Sequence, residues 1–195
     1  MTTKFLLLLG PSGVGKSSII KRLKVLDDRF TYISPYVTRR LREGEKDKVS
    51  VSDKALDKLV RAGKILTVNE LYGIRYATPR EPIEQAFADE KFPVLDWPIA
   101  KIEVMKGTFP GQTFRVYIEV ADRETLRSRL VDGRDPDNTR FNAGLVELDA
   151  LKNGAYDNLI DYRILNSAGK VNRVARMVYT QYLSAIGERN APRGP

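Results

Sequence analysis

The segment Gly10-Pro-Ser-Gly-Val-Gly15-Lys16-Ser17 constrains this chain more than any other. It matches G-x-x-x-x-G-K-[ST] in full. Its glycines let the backbone turn with consecutive N–H groups facing inward, forming an anion-sized nest. The loop then feeds a helix N-terminus, whose partial positive charge favours phosphate. Lys16 can reach the outer phosphates of a bound triphosphate, and the Ser17 hydroxyl can sit on Mg²⁺. Both required flanks are present. An apolar run, Phe5 to Leu9, precedes the loop, and Ile19, Ile20, Leu23 and Leu26 recur at helical spacing after it. The expected nucleoside triphosphate contacts are Gly10, Pro11, Ser12, Gly13, Val14, Gly15, Lys16, Ser17 and Ser18. The motif alone does not separate a kinase from an ATPase or a GTPase.

Composition narrows the chemistry. The 195 residues include no Cys and no His. Disulfides, Cys-based zinc sites, Cys nucleophiles, imidazole acid–base catalysis and His-ligated metals are therefore excluded. Lys, Arg, carboxylates, hydroxyls and backbone amides remain, and these suffice for phosphoryl transfer, which needs positioning and positive charge around the equatorial oxygens. No apolar run reaches membrane-span length. Gly10-Pro11 directly after the first apolar run does not suit a signal peptide, so a cytoplasmic location is expected. The net charge is +8. Its positive residues cluster at Arg39/Arg40/Arg42 and from Arg123 to Arg140, which favours a small phosphorylated ligand over nucleic acid. The aromatics Tyr32 and Tyr36 ahead of the first cluster are the one hint of a nucleic-acid platform. The oligomeric state is left open.

Strand and helix patterns alternate along the chain, predicting an α/β fold with a mostly parallel sheet flanked by helices. Ser52 reads as the cap of a short helix ending at Gly63, and Val49–Val51 and Lys64–Val68 read as strands. Thr78-Pro79-Arg80-Glu81 reads as a capping box opening a helix through Ile83 and Phe87, with Pro82 costing one early hydrogen bond. Phe92–Asp96 is expected as a core strand and Phe114–Val120 as a partly exposed one. Asp122 caps a helix through Leu126 and Leu130. A helix with Phe141, Leu145 and Leu148, a strand Tyr162–Asn166 and a last helix with Val171, Val174, Val178 and Tyr182 complete the chain. The expected organisation is a P-loop core over 1–31 and 92–186, an inserted acceptor module over 32–91, a lid near 131–142 and a disordered tail over 187–195.

Several segments together resemble the guanylate kinase family. They are Gly10–Ser18, Thr38-Arg39-x-x-Arg42-x-Gly44-Glu45, Tyr76-x-Thr78, Leu130-x-x-Gly133-Arg134 and Asp161-Tyr162-x-Ile164-x-Asn166. The resemblance spans roughly residues 4–186. It implies an ATP-dependent kinase acting on a phosphorylated small acceptor, with GMP the leading candidate. Arg39 and Arg42 would grip the acceptor phosphate, with Ser34, Glu70, Tyr76 and Thr78 also on the acceptor. Lys16, Arg39, Arg134 and Arg140 would be catalytic, the last two from the lid. Ser17 and Asp96 would place Mg²⁺. By contrast Arg40 reads as solvated, and Arg123, Arg127 and Arg129 as structural.

The departures fall on acceptor recognition. Thr67 stands where the family carries its guanine-reading Glu, with Glu70 nearby. Asp96-Trp97-Pro98 replaces Asp-x-Asp, and Lys48 stands in place of a phosphate-binding Tyr. The segment after Glu45 is also short. A site that loses hydrogen bonds to a base loses discrimination. Ribose 1,5-bisphosphate phosphokinases, which resemble guanylate kinases and share a shortened module, are therefore an alternative. A catalytically silent guanylate-kinase-like binding domain is another, although the intact Lys16 and glycines weigh against it.

Overall fold

The structure, a computed structural model, describes residues 4–130, 135 and 137–188. Arg134 of the expected lid and the expected tail beyond Glu188 lie outside the described residues.

Strand β1 (Phe5–Leu9) shows why its sequence is apolar without alternation. Leu6 and Leu8 enter one hydrophobic cluster while Phe5, Leu7 and Leu9 enter another on the opposite face of the sheet. A strand covered on both faces needs apolar residues at every position. Helix α1 (Lys16–Leu26) follows the loop and buries Ile19, Ile20 and Leu23. Next come β2 (Phe30–Tyr32), β3 (Tyr36–Val37), β4 (Val49–Ser50) and α2 (Asp53–Arg61). Ser52 caps α2 as expected, its Oγ accepting from the Ala55 N–H at 3.2 Å. Strands β5 (Ile65–Leu71) and β6 (Ile74–Pro79) form a hairpin, and α3 (Glu81–Ala88) and β7 (Phe92–Asp96) follow it. The second half holds α4 (Ile102–Thr108), β8 (Thr113–Glu119), α5 (Arg123–Ser128), α6 (Thr139–Lys152), β9 (Tyr162–Leu165) and α7 (Val171–Ala185).

The first sheet has the order β2-β7-β1-β8-β9, with every pairing parallel. Helices α1 and α7 cover one face through Ile19, Leu23, Val174, Val178 and Tyr182. Ile83 and Ala86 of α3, Ile102 and Met105 of α4, and Trp97 cover the other. The second sheet, β4-β3-β6-β5, is mixed, and all its strands fall within the expected insertion.

Three local expectations are corrected. Thr78 and Pro79 finish β6 rather than opening a helix, because the β5–β6 ladder continues through Thr67↔Thr78 and Ile65↔Pro79. Helix α3 starts at Glu81 with Arg80 at its cap and no side-chain cap bond. Pro82 thus sits in the first turn, where its missing N–H would have had no helical partner, and the expected loss does not arise. Strand β8 is interior rather than partly exposed: it pairs with β1 and β9, and Phe114, Val116, Tyr117 and Ile118 are buried. The polar members of its alternation are Arg115, paired with Asp161 at 2.7 Å, and Glu119, paired with Arg163 at 2.9 Å. The short strands β2 and β3 and helix α4 were not expected from the sequence. Among the described residues no helix is long and apolar enough to cross a membrane.

Candidate active site

The β1–α1 loop is held in shape from beneath. Gly10 adopts φ +122°, and a Cβ there would lie 2.5 Å from the Ile118 carbonyl oxygen of β8. Gly15 adopts φ +99°, and a Cβ there would meet the Asn166 amide nitrogen at 2.5 Å. Only glycine fits either position. Asn166 is itself buried and donates to the Val14 carbonyl at 2.7 Å. Arg129 bridges the same region, donating to Asn166 O at 2.6 Å and Val14 O at 3.3 Å. The structural role expected of Arg129 is therefore specific, since it buttresses the phosphate loop. Arg123 and Arg127 are also structural: Arg123 pairs with Asp149 at 2.9 Å and Arg127 stacks over Phe141 at 4.9 Å.

Above the loop, the Lys16 ammonium donates to the carbonyls of Gly10 and Pro11, at 2.5 and 3.0 Å, and lies 3.5 Å from Asp96 Oδ1. Asp96 ends β7 beside Leu8 of β1, so the parallel register delivers it to the loop. Ser17 and Ser18 are exposed on the first turn of α1. The Ser17 hydroxyl and Asp96 carboxylate are hard oxygen donors. They suit Mg²⁺ arriving on a triphosphate, a cation that usually keeps most of its other ligands as water and phosphate. One acid near this point was not singled out from the sequence. Glu147 of α6 accepts a hydrogen bond from the Tyr117 hydroxyl at 2.8 Å. Burial pushes its carboxyl up, against the pull of the Lys16 charge and with the help of Asp96.

The second sheet supplies the other wall. Arg39 continues the Val37 side of β3 and makes a two-pronged pair with Glu45, at 2.7 and 2.8 Å. The bond from Arg39 pulls the Glu45 carboxyl down to about 2, with the Arg42 N–H helping at 3.1 Å. Lys48 also lies 3.5 Å from Glu45. Glu45 first, and Tyr76 after it, hold the Arg39 guanidinium above its usual pKa. The buried Nε–H of Arg39 has no hydrogen-bond partner among the described residues. Arg42 is exposed as a whole, but partial burial of its guanidinium, with the nearby Arg140 and Arg39 charges, lowers its pKa. Arg140, in the first turn of α6, reaches back to Ser12 Oγ of the phosphate loop at 3.4 Å and lies over the Tyr72 ring at 5.1 Å. Among the described residues neither Arg42 nor Arg140 has an ion-pair partner.

The hairpin sorts the remaining acceptor residues by face. Thr67, Asn69, Tyr76 and Thr78 share one face through the pairs Thr67↔Thr78 and Asn69↔Tyr76. Glu70, expected with them, pairs with Arg75 on the opposite face and is exposed. That is the side of α2, where Arg75 binds Asp53 and Asp57 at 3.1 and 2.8 Å. Glu70 is thus not brought to Tyr76 and Thr78, because a strand turns successive side chains to opposite faces. Asn69, which sequence reasoning passed over, is brought there and is buried along with Thr78. Its two-residue spacing from Thr67 was the available signal. Ser34 lies partly buried in the link between β2 and β3.

Comparison with known proteins agrees with this geometry. The guanylate kinase family profile matches residues 2–178. The guanylate kinase of Thermobifida fusca is 32% identical over 153 residues, covering 74% of this chain and 77% of that protein. That of Bacillus subtilis is 28% identical over 196 residues, covering 96% and 93%. A solved guanylate kinase from Anaplasma phagocytophilum superposes with a TM-score of 0.73 at 18% identity, covering 98% of this chain and 89% of the other, which shows a shared fold. With a phosphate-binding loop, an arginine-bearing second sheet and a profile match over nearly its whole length, the chain belongs to the guanylate kinase family of nucleoside monophosphate kinases.

Proposed function

We propose that this chain transfers the γ-phosphoryl group of ATP to GMP, with the donor on the Gly10–Ser18 loop and the acceptor on the second sheet. One observation carries the placement. The guanidiniums of Arg39, Arg42 and Arg140 converge between the loop and that sheet, where partial burial first, and then the Arg140 and Arg39 charges, lower the Arg42 pKa. The buried Nε–H of Arg39, in the same place, has no partner among the described residues. An unsatisfied buried donor is costly, and a phosphate oxygen satisfies it while relieving the repulsion among the three cations. Arg suits this task because its planar fork binds two phosphate oxygens at once.

In this reading Arg39 and Arg42 fix the acceptor phosphate, and Glu45 keeps Arg39 aimed. Tyr76 and Thr78 line the acceptor, with Asn69 beside them. Lys16 and Arg140, with Arg134 by family resemblance, meet the charge that spreads over the phosphoryl oxygens in the transition state. Ser17 and Asp96 would hold Mg²⁺, which when bound neutralises phosphate charge. The ribose bisphosphate and silent-binding alternatives are not favoured, since the relatives reported above are all guanylate kinases.

The test is ADP release from Mg-ATP across a panel of nucleoside monophosphates and sugar phosphates, repeated with Arg42→Ala. The wild type should turn over GMP fastest. Arg42→Ala should raise the KM for GMP by about tenfold, the scale of a lost charge-assisted hydrogen bond, with the KM for ATP nearly unchanged. Preference for another acceptor would overturn the GMP assignment. An equal loss of ATP affinity would move Arg42 to the donor side.

A further inference from the structure

Tyr72 sits where tyrosine is a poor choice for the backbone. It and Gly73 form the two-residue turn of the β5–β6 hairpin, with φ +56° and +68°. Turns with both central residues left-handed favour Asn or Asp followed by Gly, and an L side chain at the first position is strained. Packing does not explain the choice, because Tyr72 remains 39% exposed.

Arg140 is also badly placed for its own helix. A cation in the first turn of α6 opposes the helix dipole, and the neighbouring Arg42 charge repels it. Its backbone N–H is fixed by Asp135 Oδ1 at 2.8 Å, which anchors the residue but leaves the long side chain free to swing. Among the described residues two contacts hold the guanidinium: Ser12 Oγ at 3.4 Å, long for a hydrogen bond, and the Tyr72 ring, whose centroid is 5.1 Å away. That ring distance is within cation–π range. The hairpin tip of the second sheet therefore reaches across to the cation that faces the phosphate loop.

We propose that Tyr72 is a positioning residue for phosphoryl transfer: its ring holds the Arg140 guanidinium beside Ser12, so that the second sheet sets the aim of a cation directed at the donor phosphates. This rests on the reading of Arg140 as a group that meets the transferring phosphoryl. The ring accepts the cation's charge without neutralising it, which a carboxylate at the same point would do. Arg140 thus keeps its full charge for phosphate.

Steady-state kinetics with ATP and GMP on Tyr72→Asn, Tyr72→Phe, Arg140→Ala and the double variant Tyr72→Asn/Arg140→Ala test the proposal. Asn is the residue the turn itself favours, so Tyr72→Asn should keep or raise the melting temperature while removing the ring. It should lower kcat by about tenfold, within the range for a partly desolvated cation–π contact, and move both KM values by less than about twofold. Tyr72→Phe should restore kcat, since the ring face rather than the hydroxyl acts. Adding Tyr72→Asn to Arg140→Ala should cost nothing further. Full kcat in Tyr72→Asn, a Phe variant as slow as Asn, or losses that multiply in the double variant would each overturn the proposal and leave Arg140 in place. Wild-type kcat in Arg140→Ala would overturn the reading of Arg140 itself, and the role of Tyr72 with it.

Discussion

The phosphate loop and the arginine loop both present positive charge to phosphate, but they are built in opposite ways. The Gly10–Ser17 loop does so with backbone, and its shape is enforced by neighbours that a single Cβ would strike: the Ile118 carbonyl and the buried Asn166 amide. The Arg39–Glu45 loop does so with long side chains on a mostly exposed segment, aimed by one carboxylate that grips Arg39 and caps the Arg42 N–H. A backbone nest fixes geometry with no side-chain entropy to lose, and it binds any phosphate alike. A side-chain claw loses entropy on ordering but can be re-aimed by changing one partner. The donor, common to many kinases, is met by the rigid device, and the acceptor by the adjustable one.

On that contrast, the largest effect belongs to Lys16, the cationic side chain that the backbone device uses. Lys16→Ala should lower kcat by at least about a hundredfold, the scale of one transition-state donor, without unfolding the chain, because among the described residues Lys16 bonds loop carbonyls and Asp96 alone. Single-turnover measurement with a melting curve checks both halves. Near-normal turnover would mean that the amides suffice, and the phosphate loop would then work by backbone alone.

The claw should break more gradually. Glu45→Gln keeps the size of the side chain but loses the charge, so Arg39 should wander and the KM for GMP should rise by about fivefold, with the KM for ATP unaffected. The pH dependence follows from the depressed Glu45 carboxyl, which falls from 4.5 to about 2 on folding. A depressed acid adds stability that is present above its unfolded value and lost as the pH falls through the folded one. The wild type should therefore melt above Glu45→Gln by a constant margin over pH 5–8, and that margin should close as the pH drops from about 4.5 toward 2. A margin that persists at pH 2 would show that the Glu45 charge is not its source.

The same contrast governs how much could be read from sequence. The backbone device is local, so its residues, its flanking strand and helix, and the two-faced burial of Phe5–Leu9 were all legible at once. The alternating order of strands and helices gave the parallel sheet for the same reason. What was missed depends on pairing across the chain. Thr78-Pro79 has the letters of a helix start, yet ladder pairing with β5 keeps it extended. Glu70 looked like the nearest replacement for a lost acid, but strand parity turns it toward Arg75 and α2. Asn166 and Arg129 support the loop from far along the chain, 152 and 115 residues from Val14. Only the resemblance pointed to Asn166, and nothing local marked Arg129 as its partner.

Glu147 offers the finest test, because it is the one acid beneath the rigid side that the contrast does not require. It is partly buried and accepts from Tyr117, and its raised carboxyl means that folding disfavours its charge. A raised acid contributes stability that is full below its unfolded value and lost as the pH rises through the folded one. Glu147→Gln keeps an oxygen to accept from Tyr117 and removes the charge. The variant should therefore melt higher than the wild type at pH 8. The difference should vanish near pH 4, where both side chains are neutral. Its kcat should stay within about twofold of the wild type, since losing one transition-state donor would cost far more than that. If instead the variant melts lower at pH 8 and turns over slowly, Glu147 is a working partner of Lys16. The donor side would then, like the acceptor side, depend on a carboxylate to aim its cation.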